Sequence, residues 1–202
     1  MHYSDPGEKI LIDQVKRLKA DKVICGHIYS GNSYINGNEF ELDQLLIIEN
    51  CGLVITESKY YAGTIYATGE PYWKRVKHGS EEKQENVTWQ IVRQAKILRE
   101  LLAEYGFDFP IFKAAVFTHP TCTLHKSENI PPAIPVLLPG DLKEWIRSLP
   151  KRQLHFSKED FYDLRDIFIG HQLSHEECLK RKAKLKIKRD STRKPTNRPE
   201  KH

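Results

Sequence analysis

The sequence lacks any long hydrophobic run, although hydrophobic residues make up 39% of its 202 positions. Its apolar blocks are short, such as LLII at 45–48. A helix needs roughly 20 apolar residues to cross a bilayer. The first residues, MHYSDPGEK, also lack the pattern of a signal peptide. We therefore expect a soluble, cytoplasmic protein with no membrane partner.

Cysteine is scarce as well, because only four cysteines occur, widely spaced and without a CxxC pair. This excludes a disulfide framework and a four-cysteine zinc site, and it favours ordinary thiols. The stretches 119–125 (HPTCTLH) and 171–178 (HQLSHEEC) place histidine and cysteine at helical steps. Neither has a clear fourth ligand or a familiar zinc spacing. We expect these histidines and cysteines to be surface or loop residues.

Three familiar motifs of catalysis are also missing. No stretch matches GxxxxGK[ST], GxGxxG or GxSxG. Nucleotide hydrolysis through a phosphate-binding loop, dinucleotide redox chemistry and serine hydrolase activity therefore have no motif to support them.

Charge is present in quantity, but it is unevenly distributed. Segment 180–202 holds 11 Lys and Arg against two acidic residues, so it carries +9 while residues 1–179 carry −4. We expect a disordered basic tail at 180–202 that binds a polyanion, because neutralising phosphates releases counterions. The alternative is a tail that only aids solubility. The residues predicted to contact nucleic acid are Lys182, Lys184, Lys186, Lys188 and Arg189.

Hydrophobic spacing predicts an alternation of helices and strands. Helices are predicted in DPGEKILIDQVKRLK, from about 85 to 105, in GDLKEWIRSL and in SKEDFYDLRDIFIG. Strands are predicted in KVICGHIY, FELDQLLIIE, GLVITESK, FPIFKAAVFTH and IPVLL, with TIYATGEPYWKRV as a further hairpin and 119–130 as a polar loop. This order indicates an α/β fold with a mixed central β-sheet flanked by helices. We expect a main domain over 1–150, a helical extension over 151–179 and the tail over 180–202.

The stretch ITESK ends a predicted strand with two charges on one face. Glu57 and Lys59 are two positions apart, so they project from the same side as Leu53 and Ile55. They can be a solvated strand end in which the two charges pair, or half of a metal-dependent site.

The loop between the two central strands decides which residue faces this pair. If Asn50, Cys51 and Gly52 form the loop, with Gly52 at positive φ, opposed positions place Asp43 across from Lys59. Glu57 then lies across from Leu45. Asp43 and Glu57 become diagonal neighbours at roughly 7 to 8 Å, within reach of one cation.

Two carboxylates beside a lysine suit phosphodiester hydrolysis. Mg²⁺ (or Mn²⁺) prefers oxygen ligands such as those of Asp43 and Glu57, together with phosphate oxygens and water. Lys59 can orient the attacking water, take its proton if its own pKa is depressed, or stabilise developing charge. In the plainer interpretation Asp43 is a buried polar residue satisfied by Lys59.

Four segments in order carry a family resemblance: PGEKILIDQVKRL, FELDQLLIIENCGLVITESKYYAGTI, YW and ENVTWQIVRQAKILRELL. Together they resemble a NERD domain, the nuclease-related domain of the PD-(D/E)XK nuclease superfamily. The similarity covers roughly residues 5–120, and the elements up to about 149 fit the expected order. The resemblance implies a restriction-endonuclease-like fold and a metal-dependent nuclease acting on DNA, with RNA not excluded. A module that binds nucleic acid without cleaving it is the alternative.

The resemblance also implies roles for individual residues. Asp43 and Glu57 match the metal ligands, Glu8 the first-helix glutamate that assists the metal, and Lys59 and Gln90 the groups acting on the water and the phosphate. Val87 stands where the family usually has proline, so the resemblance does not fix the start of the second helix.

Plain alternatives exist for several of these residues. Glu8 can complete a capping box with Asp5, and Gln90 can be an ordinary polar helix position. Asn86 is equally suited to be the helix N-cap. The three tryptophans, at 73, 89 and 145, are expected to be packing residues rather than surfaces on which bases stack.

Overall fold

The computed structural model describes residues 6–35, 38–127, 134–171 and 180. The helices are α1 (Pro6–Ala20), α2 (Val87–Glu104), α3 (Leu142–Ser148) and α4 (Lys158–His171), with a short 3₁₀ turn at Pro139–Asp141. The strands are β1 (Gly26–Ile35), β2 (Asn38–Ile48), β3 (Gly52–Lys59), β4 (Gly63–Ala67), β5 (Tyr72–Lys77), β6 (Ser80–Glu85), β7 (Ile111–Phe117), β8 (Cys122–Lys126) and β9 (Val136–Leu137). Asp5 and all five tail residues predicted to bind nucleic acid lie outside the described residues.

The strands form two mixed sheets. The larger sheet has the order β1-β2-β3-β7-β9, antiparallel from β1 to β3 and parallel from β3 to β9. The smaller sheet has the order β6-β5-β4-β8, in which β4 and β8 are parallel. The α/β, restriction-endonuclease-like fold with helices on a mixed sheet is confirmed. The second sheet was not predicted.

The central strands of the larger sheet are buried on both sides, because helices cover both faces of the sheet. On one face, Leu46 and Val54 pack with Leu11 and Val15 of α1 and with Ile146 of α3. On the other face, the side chains of the alternate strand positions pack with α2 and α4. They include Leu45, Ile47, Leu53, Ile55, Ala115 and Phe117. Glu57 and Lys59 continue this second face, so they lie on the side of the sheet covered by α2.

The hairpin between β2 and β3 differs from the predicted register. Ile48 pairs with Gly52, so the loop is 49–51 and begins one residue earlier than predicted. Asn50 takes a positive φ of 59° in this loop, and Gly52 has the predicted positive φ, at 133°. The predicted pairing of Asp43 with Lys59 is therefore wrong by two positions. A shift of two keeps the side chains of Leu45, Leu53 and Ile55 on their predicted face.

Gly52 has a second constraint beyond its backbone conformation. A Cβ added there would collide with the carbonyl oxygen of Pro110, the residue before β7. That carbonyl accepts a hydrogen bond from the Leu53 N–H at 2.8 Å. Glycine at 52 is thus required both by φ and by the close approach of the β7 entry.

The polar stretch 119–130 was predicted to be a loop, and that prediction is wrong in part. It contains β8, which pairs in parallel with β4, and Cys122 is buried rather than on the surface. β6 was also missed, since its sequence SEEKQE carries mainly charges. Both strands lie at the edges of the smaller sheet, where charged residues are common.

The ends of the predicted helices are closed by side chains. Asn86 is the N-cap of α2: its Oδ1 accepts hydrogen bonds from the Thr88 N–H at 2.9 Å and the Thr88 hydroxyl at 2.7 Å. Ser157 and Asp160 exchange hydrogen bonds at the start of α4 as a capping box. With Asn86 as its N-cap, α2 starts at Val87, where the family usually has proline.

Helix α4, in segment 151–179, shares the core of the main sheet. Leu164, Ile167 and Phe168 are buried, and the Phe168 ring stacks with Phe40 of β2 at a centroid distance of 6.4 Å. Among the helices that the structure describes, none is both long and apolar enough to span a membrane.

Candidate active site

The site lies where the central strands β2 and β3 leave the core of the sheet. Glu57 and Lys59 end β3, and β2 carries Asp43. The last β2–β3 pair is Gln44 with Thr56, and continuing that register by one position places Asp43 opposite Glu57. The two carboxylates are thus closer neighbours than the predicted diagonal arrangement.

Asp43 is held by Ser58, a residue that the sequence analysis did not select. Its Oδ2 accepts hydrogen bonds from the Ser58 N–H at 2.5 Å and from the Ser58 hydroxyl at 2.6 Å. The Asp43 carboxylate thus accepts a hydrogen bond from a backbone N–H of β3 just beyond the last pair of residues between β2 and β3. This fixes the orientation of Asp43 next to Glu57, with Ser58 as the donor of both hydrogen bonds.

Glu57 is nearly fully buried and accepts two hydrogen bonds at one oxygen. Its Oε1 accepts from Lys59 Nζ at 2.6 Å and from Gln90 Nε2 at 2.7 Å. Lys59 Nζ also lies 3.4 Å from Gln90 Oε1. The Glu57 side chain is 7% exposed and that of Lys59 is 23% exposed. Three of the predicted site residues therefore form one compact group.

Burial and a neighbouring charge perturb the acidity of Glu57. Loss of hydration in the buried site raises the pKa of Glu57, and the nearby Asp43 carboxylate raises it further, while Lys59 opposes both effects. The result is a pKa of about 7, against an ordinary value of 4.5. A cation bound beside Asp43 and Glu57 would favour the ionised form of Glu57.

Lys59 is shifted in the direction that keeps it charged. Burial disfavours the ammonium ion, but the Glu57 carboxylate more than offsets this by its charge and its hydrogen bond, so the pKa of Lys59 is raised. The predicted route in which a Lys59 of depressed pKa takes the proton of the water has no support in this geometry. Lys59 is a cation at neutral pH.

Helix α2 positions Gln90 from its first turn. Asn86 caps the helix and also donates from Nδ2 to the carbonyl of Glu70 at 2.8 Å, while its N–H donates to Pro71 O at 3.0 Å. The helix start is thus tied to the turn between β4 and β5. Gln90 follows one turn later and reaches β3. The N-cap function of Asn86 is a structural role that fixes a site residue.

Glu8 is half-buried in the first turn of α1, which packs on the opposite face of the larger sheet from α2. Over residues 6–35, 38–127 and 134–171, no group of three or more His, Cys, Asp or Glu side chains is arranged to hold a metal ion. The structure therefore brings together Asp43, Glu57, Lys59 and Gln90, and it does not place Glu8 in a three-carboxylate cluster with them. The role of Glu8 stays a prediction.

The paired carboxylates nevertheless fit a hard divalent cation. Mg²⁺ commonly takes one or two protein carboxylates and completes its shell with water and phosphate oxygens, so Asp43 and Glu57 supply a sufficient donor set. Burial and the nearby Asp43 charge raise the pKa of Glu57, and a cation bound beside it would favour its ionised form. Asp43 and Glu57 are the residues that would hold the ion.

An open cleft of about 600 Å³ begins at Lys59 and Gln90. Its walls are the β5–β6 hairpin and the first two turns of α2, with Tyr72 on one side and Trp89 and Arg93 on the other. Trp89 is 56% exposed, so its predicted packing role is wrong. The packing prediction is confirmed for Trp73, which is buried, and for Trp145 of α3, which packs half-buried against the core.

A mixed sheet that ends in Asp43, Glu57 and Lys59 and opens into a cleft defines the restriction-endonuclease-like class of fold. A family model described as the nuclease-related domain, NERD, matches residues 4–118, which is more than half of the chain. The chain belongs to this family, as the resemblance predicted. No curated protein and no solved structure matches the chain significantly.

Proposed function

We propose that this protein is a metal-dependent nuclease that hydrolyses phosphodiester bonds in DNA. The observation that carries the proposal is the convergence of Asp43, Glu57, Lys59 and Gln90 at the inner end of an open cleft. Membership of the nuclease-related family supports a nucleic-acid substrate. Mg²⁺ or Mn²⁺ bound at this site would supply Lewis-acid polarisation of the phosphate and a more acidic water.

Asp43 and Glu57 would hold the cation, and neighbouring side chains fix the positions of both carboxylates. Ser58 orients Asp43 through two hydrogen bonds, and Gln90 donates to Glu57. Because Ser58 belongs to β3 and Gln90 to α2, Asp43 Oδ2 and Glu57 Oε1 keep their positions in the absence of substrate. Such preorganisation lowers the reorganisation needed when the phosphate arrives.

Lys59 stabilises negative charge. The raised pKa of Lys59 keeps its ammonium group protonated, and Lys59 lies with Gln90 at the inner end of the cleft. A protonated lysine there orients the attacking water or offsets the charge that develops on the phosphate. The ion pair between Glu57 Oε1 and Lys59 Nζ, at 2.6 Å, holds Lys59 in this position.

One observation favours the second candidate, a module that binds nucleic acid without cleaving it. Glu57 Oε1 already accepts two hydrogen bonds from Lys59 and Gln90, so this carboxylate is satisfied as a structural ion pair. In that case the fold and the cleft serve binding alone.

A cleavage assay separates the two candidates. The purified full chain is incubated with plasmid DNA, single-stranded DNA and RNA, in Mg²⁺ or Mn²⁺ and in excess chelator. The proposal expects cleavage of DNA that requires the metal. Binding of DNA without cleavage in either metal would favour the accessory module.

We also propose that the protein works in a reducing, cytoplasmic environment. Three cysteines within the described residues, Cys25, Cys51 and Cys122, are free thiols. Thiol titration of the protein isolated under non-reducing conditions tests this proposal, which expects the thiols to remain free.

A further inference from the structure

Two exposed aromatic side chains stand at the mouth of the cleft. Tyr72 on β5 is 51% exposed and Trp89 on α2 is 56% exposed, and both line the cleft that ends at Lys59 and Gln90. Neither contributes to the buried core clusters of the described residues. Exposed rings of this size next to a reactive site are typical of surfaces that bind another flat, apolar group.

Positive charge accompanies the aromatic rings. Arg93 lines the cleft beside Trp89, and Lys83 Nζ lies 3.9 Å from the centre of the Tyr72 ring. Glu85 is the single carboxylate among the described residues that line this cleft, against Lys59 and Arg93. The cleft therefore combines ring faces with cations, as surfaces that bind the sugar-phosphate backbone and unpaired bases do.

Trp89 also borders a second depression, which lies between α2 and β7. Every described ionisable residue lining it is basic, namely Arg93, Lys96 and Lys113, and Val92 adds apolar surface. Lys96 has an exposed contact with Glu100 at 3.8 Å, which a phosphate can displace. Trp89 thus forms a ridge between the cleft and a basic surface that extends away from the site.

The cleft suits a single strand better than a duplex. Its volume of about 600 Å³ lies in the range that encloses a small organic molecule, about 300–1,000 Å³, so a nucleotide can enter it. In a duplex the bases are stacked on each other and cannot reach Trp89 or Tyr72 unless they are flipped out. An unpaired strand offers free base faces and needs no unpairing.

We propose that the protein takes its DNA substrate as an unpaired strand, with a base next to the reacting phosphate stacked on Trp89. Arg93 binds the adjoining phosphate, and the strand continues over Lys96 and Lys113. This inference rests on the proposed function for the identity of the substrate as DNA. It adds the substrate class and the residues that select it.

The test measures binding separately from cleavage. Full-length Asp43→Asn protein, which cannot cleave under the proposal, is titrated against labelled single-stranded DNA and a blunt duplex of the same sequence. A third probe of equal length carries abasic positions, which keep the phosphates and remove the bases. We expect the ordinary single strand to bind about tenfold more tightly than either of the other two.

Single substitutions assign the effect to the cleft. In the same background, Trp89→Ala is expected to weaken single-strand binding about tenfold, and Trp89→Phe to retain most of the affinity. Tyr105→Ala is the matched control, because Tyr105 is equally exposed, at 54%, but lies just beyond the far end of α2. It should bind like the parent protein.

The outcomes separate this inference from the proposed function. Equal affinity for duplex and single strand, or an affinity for single-stranded DNA that Trp89→Ala leaves unchanged, overturns the inference even if the wild-type protein cleaves DNA with Mg²⁺. Binding of a single strand through Trp89 by a wild-type protein that cleaves nothing supports the inference and contradicts the nuclease proposal. A single-stranded RNA of the same sequence is titrated as a fourth probe, and Trp89-dependent binding of this RNA that is tighter than that of DNA overturns the assignment of the strand as DNA.

Discussion

Gln90 Nε2 donates a hydrogen bond to Glu57 Oε1 at 2.7 Å, and this contact joins helix α2 to strand β3 at the candidate active site. The donor is set by the Asn86 cap one turn earlier, and the acceptor by the end of a buried strand. Helix position and carboxylate position are therefore coupled. A hydrogen bond to a charged group is worth about 1.5–3 kcal/mol, enough to affect both metal binding and turnover.

Gln90→Ala should lower turnover by about tenfold to a hundredfold, because Glu57 loses a donor that holds its charged form in place. The fold should be kept, since Gln90 is only half-buried. Single-turnover cleavage and thermal unfolding measure the two effects. Gln14→Ala on α1 is the matched control. If Gln90→Ala and Gln14→Ala cleave at the same rate, the hydrogen bond from Gln90 to Glu57 has no catalytic role.

Lys59→Ala should lower the rate of cleavage by roughly two orders of magnitude while metal and DNA still bind, as expected for a lost charge-stabilising group. Lys59→Arg should restore little, because the guanidinium is larger and planar. Lys16→Ala, at an exposed pair with Asp13, controls for the loss of a lysine. Unchanged single-turnover cleavage in Lys59→Ala would reduce the residue to the partner of a strand-end carboxylate.

Stability should depend on pH through Glu57. Its pKa in the folded protein is raised to about 7, so the folded state holds the proton more tightly than the unfolded chain. The group therefore favours folding most below about pH 4.5, and that contribution falls by up to about 3 kcal/mol as the pH rises through 7. Glu57→Gln removes this dependence.

Urea unfolding in chelator, at about pH 5 and about pH 8, measures this effect. The stability of Glu57→Gln relative to wild type should improve by up to about 3 kcal/mol between the two pH values. Glu100→Gln, an exposed carboxylate on α2, should follow the wild type. A difference between Glu57→Gln and wild type that does not change with pH would contradict the raised pKa.

The basic tail should add affinity without chemistry. Deleting residues 185–202 should weaken DNA binding and flatten its salt dependence, because each lost phosphate contact lowers the slope by about 0.9 for a duplex or about 0.7 for a single strand. Turnover at saturating substrate should survive. Affinities measured over a series of salt concentrations test this, and an unchanged slope would assign the tail another role.

Periodicity and charge pattern predicted much of the site. The face shared by Leu53, Ile55, Glu57 and Lys59 follows from the two-residue repeat of a strand, and it does not depend on the register between β2 and β3. The error in that register arose at Asn50, which adopts a left-handed conformation that lets the turn begin earlier. The face on which each β3 side chain lies was predictable from the sequence. Which β2 residue lies opposite each β3 residue depended on the conformation of Asn50.

Other features depend on contacts between distant segments. β8 has the polar sequence CTLHK and becomes a strand only by pairing with β4, which lies more than 50 residues earlier. Ser58 was missed because its side chain alternates away from the charged face, yet its N–H and hydroxyl reach Asp43. Trp89 carried an overlooked signal, since it lies off the apolar stripe of α2 that contains Val87 and Ile91.

The most direct test of the account is metal-dependent cleavage by Asp43→Asn and Glu57→Gln, with Glu100→Gln as the control carboxylate. Under single-turnover conditions with Mg²⁺, we expect cleavage by the wild type and the control, and none by either site variant. Isothermal titration should show that both site variants also bind Mg²⁺ more weakly. Cleavage that persists in chelator, or full activity in either site variant, would contradict the assignment of the two carboxylates to a catalytic metal.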